Sequence, residues 1–496
     1  MRLNRLWGIL VIILVASLVA GVVSSVYEQN TDTIVIEPKS FTEHYSYIIF
    51  GEDTDGDGVR DIIYAKNGET GEIEFVGNDF ATVMQQAIDA LPDSGGKILI
   101  KAGQYMVTKT IRIAKSFIVI EGEGTWDQLT MTERNVTSWT YTGTILRSKE
   151  DGLVLFDIGW HNDTAMRVVM ERLTFTSHDM SSYQPNTTAI KLDGKVRQSL
   201  FRMLWFCRLG VGIYQEPNGF WLQDVYFQLI VAEDMNRLFH FALGYNLNFY
   251  DLYAGWQHTD DYLIRLEGKF NEIFIDNLWL LGHAEEDSYR GLYINYAERV
   301  TISNVISHNA YYEEIIHVVA EKLAITNVAL ENSNSTTGSI VIDARYATLN
   351  NIIIGADAAS GYVPNYGIYL KGQKYPNGIV HISNVVVEDC RTAWIYNPGG
   401  YTVRTENINV KGTPSENSGI AVNLYNGAYI PHGLFDTPTL VVLTPLNATY
   451  DGVPVIVSWN KELTNSTHIV VNVYWANGTA ITDPVIAVSW YAKVGQ

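Results

Sequence analysis

Three segments of this chain carry residue types able to do chemistry. They are Trp256-Gln257-His258-Thr259-Asp260-Asp261, His283-Ala284-Glu285-Glu286-Asp287-Ser288-Tyr289-Arg290 and His308-Asn309-Ala310-Tyr311-Tyr312-Glu313-Glu314. Their histidines recur every 25 residues, so stacked coils of that step would set His258, His283 and His308 in a row beside carboxylates and aromatic rings. Crowded carboxylates push their proton affinities apart, which is what paired acid and base catalysis needs. Asp260 or Asp261 would then work with Glu285, Glu286 or Asp287, while Arg290 could take a proton or neutralise an acidic group. A second reading stays open, in which these are solvated loop residues and each histidine repeats because its coil repeats.

A different chemistry is written into Asp53-Thr54-Asp55-Gly56-Asp57-Gly58-Val59-Arg60-Asp61. Carboxylates at the first, third, fifth and ninth positions, with Gly58 at the sixth, match a loop that wraps hard oxygen donors around Ca²⁺. Asp53, Asp55 and Asp57 would donate side chains, Val59 its carbonyl, and Asp61 a direct or water-bridged contact. Tyr64 stands where an EF-hand carries its bidentate Glu, and strand-like flanks replace helices. The loop therefore resembles the dockerin or thrombospondin type, with a structural role for the ion.

Elements that could position such residues emerge as a repeat. Asn277, Asn304, Asn327, Asn351, Asn384 and Asn407 each sit between apolar residues, as in Ile302-Ser303-Asn304-Val305. Asp251, Asp224, Met203 and Arg172 continue the series backward, in steps from Arg172 of 31, 21, 27, 26, 27, 23, 24, 33 and 23 residues. Short alternating segments rich in Val, Ile, Phe and Tyr flank each position, as strands should. An Asn at a bend tolerates left-handed backbone angles and can bond the Asn of the next coil. This series resembles the asparagine ladder of the pectate lyase-like superfamily, and the resemblance implies an all-β, right-handed parallel β-helix solenoid.

The start of the solenoid carries the same resemblance. Phe80 to Leu91 has helical periodicity, with Asp79 as N-cap and Pro92 with Gly95-Gly96 as its stop. A segment Gly95 to Tyr105 reading GGKILIKAGQY follows, similar to the opening of tailspikes and polysaccharide-degrading members. An N-terminal cap helix is what an open solenoid end needs, because it covers core and strand edges. Beyond Gly412 the repeat fades, and Pro414 to Phe435 reads as loop. Segments at 440–443, 453–457, 469–474 and 485–490 then read as strands of a small C-terminal β-sandwich-like unit or capping sheet.

Composition bounds the rest. The chain has 496 residues, 47% of them apolar, and a net charge of −20, which excludes a nucleic-acid partner for want of clustered Lys and Arg. Only Cys207 and Cys390 are present; seven coils apart, they would lie roughly 34 Å from each other, so buried free thiols are expected. Arg2 and Arg5 ahead of an uncharged run from Leu6 to Ser25 read as an export signal, cleaved as a signal peptide or kept as a membrane anchor. Sequons at Asn135, Asn162, Asn186, Asn334, Asn447, Asn465 and Asn477 agree with a glycoprotein outside the cell.

The expected layout is a signal or anchor at 1–25, an N-terminal β segment with the calcium loop at 26–78, the β-helix at 79–435 and the C-terminal unit at 436–496. The resemblance implies a secreted or cell-surface protein that binds or processes polysaccharide, as hydrolase or lyase, with a cell-surface glycan as partner. The alternative is a non-catalytic structural surface protein, an adhesin, sheath or filament subunit, that uses the β-helix as a rigid scaffold and pairs with copies of itself or a surface layer. The sequence has no Gly-His-Gly or paired-Asp segment of polygalacturonases and no Arg-x-x-Pro-x-x-Arg segment of pectate lyases, and its Asn30-Thr31-Asp32 lies outside the solenoid. Activity therefore does not carry over from the fold.

Overall fold

The computed structural model describes residues 45–493, apart from short segments at 126–142, 160–163, 181, 218–219, 258–260, 282–288, 309–311, 332–336, 356–362, 389, 411–415, 433, 435–436, 447–448, 451–452, 466–467 and 484–485. The export signal therefore lies outside the described residues, and none of the described helices is long and apolar enough to cross a membrane.

Strands from Tyr47–Glu52 to Thr402–Val410 join one sheet system in which, after the antiparallel N-terminal strands, every pairing is parallel and each strand lies beside its counterpart one coil on. This is the right-handed parallel β-helix. One column shows why it forms: Ile98, Ile120, Met170, Phe201, Phe227, Phe249, Ile275, Ile302, Ile325, Leu349 and Ile382 stand in successive register. All are essentially buried. Each contributes roughly 1.5–3 kcal/mol by leaving water, and Phe201, Phe227 and Phe249 add stacked ring contacts at 5.5 and 5.0 Å.

The ladder residues Arg172, Met203, Asp251, Asn277, Asn304, Asn327, Asn351, Asn384 and Asn407 all have φ between 51° and 58°. Their amides bond down the stack: Asn327 Nδ2 donates to Asn304 Oδ1 (3.1 Å), Asn351 to Asn327 (2.8 Å) and Asn407 to Asn384 (3.0 Å). Where a coil is longer, the preceding residue accepts instead, so Asn304 donates to Asp276 and Asn384 to Asn350. One ladder position differs from the sequence reading. Leu229, at φ 53°, stands between Met203 and Asp251, because Arg202 pairs Gln228 and Gln228 pairs Tyr250. Asp224 belongs to a second corner with Gln198 and Asn246, where the left-handed φ recurs and Asn246 Nδ2 bonds Asp224 Oδ1 at 2.9 Å.

The helix Phe80–Ala90 buries Phe80, Val83, Met84, Ala87 and Ile88, and Asp79 caps it by accepting from Thr82 N at 3.0 Å. The N-terminal strand Tyr47–Glu52 pairs in parallel with Gly96–Ile100, so the segment bearing the acidic loop joins the first coil.

At the other end the parallel pairing stops at Val410, earlier than residue 435. Glu416–Leu424 and Tyr429–Pro431 are strands, not loop, and pair antiparallel with Ile486–Lys493 and His468–Trp475. With Leu440–Pro445, Thr449–Tyr450 and Val453–Asn460 they form sheets of three and four strands that share a core of Ile430, Val441, Val455, Val471, Val473, Val488 and Trp490. Cys207 is buried, as expected, with its thiol pushed up by burial, whereas Cys390, expected to be buried as well, is only half-buried.

Candidate functional site

The strand after the ladder sheet carries a second register in which side chains point outward. Arg112, Asp157, Lys191, Tyr214, His240, Arg265, Tyr293 and His317 occupy one column over eight coils, and Val341, Tyr369 and Tyr396 extend it. The inward neighbours Phe156, Ile190, Ile213, Phe239, Ile264, Leu292 and Ile316 are buried, so alternation along each strand turns this column away from the core, although neighbouring side chains cover Asp157, His317 and Val341. Adjacent members are about 4.8 Å apart along the backbone.

In the middle of the column the charges are paired. Asp261 accepts from Arg237 and Arg265, Arg265 also reaches Glu267, and His240 Nε2 lies 3.0 Å from Glu267. Burial would raise the Asp261 carboxyl, but the Tyr262 amide and the two guanidinium groups outweigh it and hold its pKa down. Glu267 is likewise lowered, burial being outweighed by His240 and Arg265. Two coils on, Glu314 bonds Tyr262, His317 Nδ1 (2.8 Å) and Thr337 Oγ1 (3.2 Å). These partners overcome its burial and bring its pKa to about 2. Tyr293 stacks on Tyr262 at 4.6 Å with its other side edge-on to His317 at 5.1 Å, and Arg290 lies over the Tyr262 ring at 5.5 Å.

Earlier in the column the balance reverses. Asp157 is 2% exposed, and its Oδ1 has no hydrogen-bond partner. Burial raises its pKa to about 6, with Asp193 and Glu216 adding to the rise against Lys191 and Arg112. Lys191 Nζ lies 3.7 Å from Asp193 and 3.0 Å from Glu216. A carboxyl group with its pKa raised to about 6 thus shares one lysine's surroundings with two further carboxyl groups, an arrangement suited to proton donation on one side and proton acceptance on the other.

Of the residues expected from the sequence, Asp261 and Arg290 stand in this site. His258, Asp260, His283, Glu285, Glu286 and Asp287 lie outside the described residues. The backbone of His308 is level with Leu281 and Gly255 at the end of the ladder strand. The local step between the described strands is 26 and then 27 residues. Sequence reasoning missed Asp157, Lys191, Asp193, Glu216, His240, Glu267 and His317; the signal for Asp157, Lys191, His240 and His317 was a polar residue flanked by buried ones at matching places in separate coils.

The acidic loop brings carboxylate oxygens of Asp53, Asp55 and Asp61 within 4.8 Å of one another. Backbone amides shape it: Gly56 and Gly58 donate to Asp53, Asp57 to Asp55, and Thr54 to Asp61. Asp57 accepts from Val59 N at 2.8 Å and is not one of the converging three. The donor set, oxygen only and anionic, fits a hard divalent cation. Among the sequons, Asn186, Asn465 and Asn477 are exposed; Asn135, Asn162, Asn334 and Asn447 lie outside the described residues.

No family model and no curated protein sequence matches this chain. Solved structures do. DFA-IIIase from Arthrobacter chlorophenolicus A6 is 13% identical, with TM-score 0.41, covering 68% of this chain and 97% of that one. The catalytic unit of a GH87 α-1,3-glucanase from Streptomyces thermodiastaticus is 11% identical, with TM-score 0.38, over 68% of this chain and 66% of that one. The tailspike gp49 of Acinetobacter baumannii bacteriophage Fri1, a capsular polysaccharide depolymerase, is 11% identical, with TM-score 0.34, over 84% and 82%. The class that fold and register define is the right-handed parallel β-helix, and at these identities the likeness goes no further than that.

Proposed function

We propose that the chain is an exported, secreted or cell-surface protein that binds polysaccharide along the outward column from Arg112 to His317 and hydrolyses it beside Lys191. The observation that carries this reading is the Asp157 carboxyl, its pKa raised by burial, beside Lys191 and the carboxyl groups of Asp193 and Glu216 on a polar and aromatic stripe. In the step proposed, the Asp157 carboxyl gives its proton to the glycosidic oxygen and the bond from that oxygen to the anomeric carbon breaks. The Glu216 carboxylate takes a proton from the water that attacks the anomeric carbon. Lys191 holds Glu216 and Asp193 in place, and Tyr214, Tyr293 and the ion-paired residues grip the flanking sugars. The test is reducing-end release from a panel of neutral and acidic polysaccharides. Wild type should be active, and Asp157→Asn and Glu216→Gln should each lose at least about 100-fold; equal activity in wild type and both variants would end the hydrolytic reading.

The scaffold alternative draws on another observation. Asp261, Glu267 and Glu314 are each held by partners that keep them ionised, as in a rigid network that does no chemistry. Glycan binding without product release, or neither, would favour it. For the acidic loop we propose Ca²⁺ held by Asp53, Asp55, Asp61, the Val59 carbonyl and, after a side-chain turn, Asp57, fixing the loop against the first coil through the Val59 to Gln104 bridge.

A further inference from the structure

A cavity of about 670 Å³ opens on the first coils, away from the column, between Tyr45, Arg60, Gly103, Glu121, Glu123 and Arg172. Its charge is opposite to that of the chain. Arg60 and Arg172 line it, and Lys97 and Lys101 pair with its Glu121 and Glu123, in a protein of net charge −20.

The carboxylates here are taken. Glu121 is 3% exposed and is held by Lys97 and by Arg172 Nη1 at 2.7 Å, with the Tyr45 hydroxyl donating at 3.3 Å. Glu171 is bound by Arg202, and Glu123 by Lys101 and the Ala102 amide. Arg60 differs: among the described residues no carboxylate pairs with it, and its Nε is buried with no hydrogen-bond partner. Gly103 makes this placement possible, because a Cβ there would come within 2.7 Å of that Nε at a φ of +150°. A buried guanidinium donor left without a partner destabilises the fold, and a ligand oxygen can offset that cost.

We propose that this cavity is a binding site for the anionic group of an acidic saccharide, a uronate carboxylate or a sulfate ester, with Arg60 as the fork that receives it. Gly103, Gly122 and Gly143 leave the walls bare enough for a sugar ring. The saccharide part rests on the polysaccharide reading above; the anion part rests on Arg60 alone.

The test is calorimetric titration of the full chain with an oligogalacturonide, its carboxyl-reduced neutral counterpart and a sulfated oligosaccharide of equal length. The expected result is uronide binding that weakens about ten- to a hundredfold in Arg60→Gln and less in Arg60→Lys, as loss of a charged bidentate contact requires, with the neutral counterpart unaffected by either change. Binding of the sulfated probe with the same Arg60 dependence, in place of the uronide, assigns the ester and upholds the anion site. Uronide and sulfated binding unchanged in an Arg60→Gln protein of unaltered melting temperature overturns the proposal, as does absence of both at millimolar concentration. Neutral-glycan binding lost in Tyr293→Ala would still uphold the column, so failure of one site is distinguishable from failure of the other.

Discussion

At the scale of single residues, two carboxyl groups on the same column have opposite pH signatures. Asp157 has its pKa raised from 3.8 to about 6 by burial, so the folded chain holds this proton more tightly than the unfolded chain. Its contribution to stability is therefore lost as pH rises from about 4 to 6. At pH 7 Asp157→Asn should raise stability by on the order of 2 kcal/mol while abolishing turnover, read by denaturant titration beside a reducing-end assay. Wild-type activity should also fall above about pH 6 as this acid ionises. Glu314 is the reverse case: lowered from 4.5 to about 2 by His317, Tyr262 and Thr337 against its burial, it stabilises the fold above about pH 4.5 and loses that contribution as pH falls toward 2. Glu314→Gln should cost about 1–3 kcal/mol at pH 7 and almost nothing at pH 2. The sequence already pointed to Asp261 and Arg290, because a loop crowded with charge is visible in any window. Asp157 was not visible, because its burial comes from coils stacked above and below it, and the repeat had been traced only from Arg172 onward.

At the scale of elements, the ladder was legible because a left-handed corner admits few residue types, and Asn marks it. The one position misplaced was among those without that mark. Leu229 occupies a left-handed corner with no chemical reason of its own, and it is 41% exposed, whereas Asp224, five residues earlier, has the right chemistry for a different corner. The structure thus predicts that Leu229→Asn stabilises the chain by about 1 kcal/mol, through relief of left-handed strain and a new amide donor facing Asp251. Asn327→Ala should destabilise it by about 1–3 kcal/mol, since Asn327 both donates to Asn304 and accepts from Asn351. Both follow from urea midpoints. The acidic loop belongs to this scale too: if it holds Ca²⁺, a hundredfold excess over the dissociation constant raises stability by about 2.7 kcal/mol. Asp53→Asn with Asp55→Asn should remove that calcium-dependent shift in melting temperature while leaving the metal-free melting temperature nearly unchanged.

At the scale of the whole molecule, stacking turns residues far apart in sequence into one line. From Arg112 to His317 the outward column makes seven coil steps, about 34 Å, and Val341, Tyr369 and Tyr396 lengthen it to ten steps, about 48 Å. Tyr369 and Tyr396 stack at 5.3 Å at its far end, offering aromatic faces in continuity with Tyr293 and His317. Register, more than composition, makes this surface: Asp261 meets Arg237, and Glu267 meets His240, because successive coils align Phe239 and Ile264 beneath them. A linear glycan lying along such a line gains contacts coil by coil. Affinity measured with oligosaccharides of increasing length should therefore rise steadily until the ligand spans the column and then level off. Removing the far platform with Tyr369→Ala and Tyr396→Ala should shorten the length at which the plateau is reached without changing affinity for the shortest ligands. A flat dependence on length would mean that recognition is confined to one or two coils, and that the extended stripe serves the rigidity of the rod.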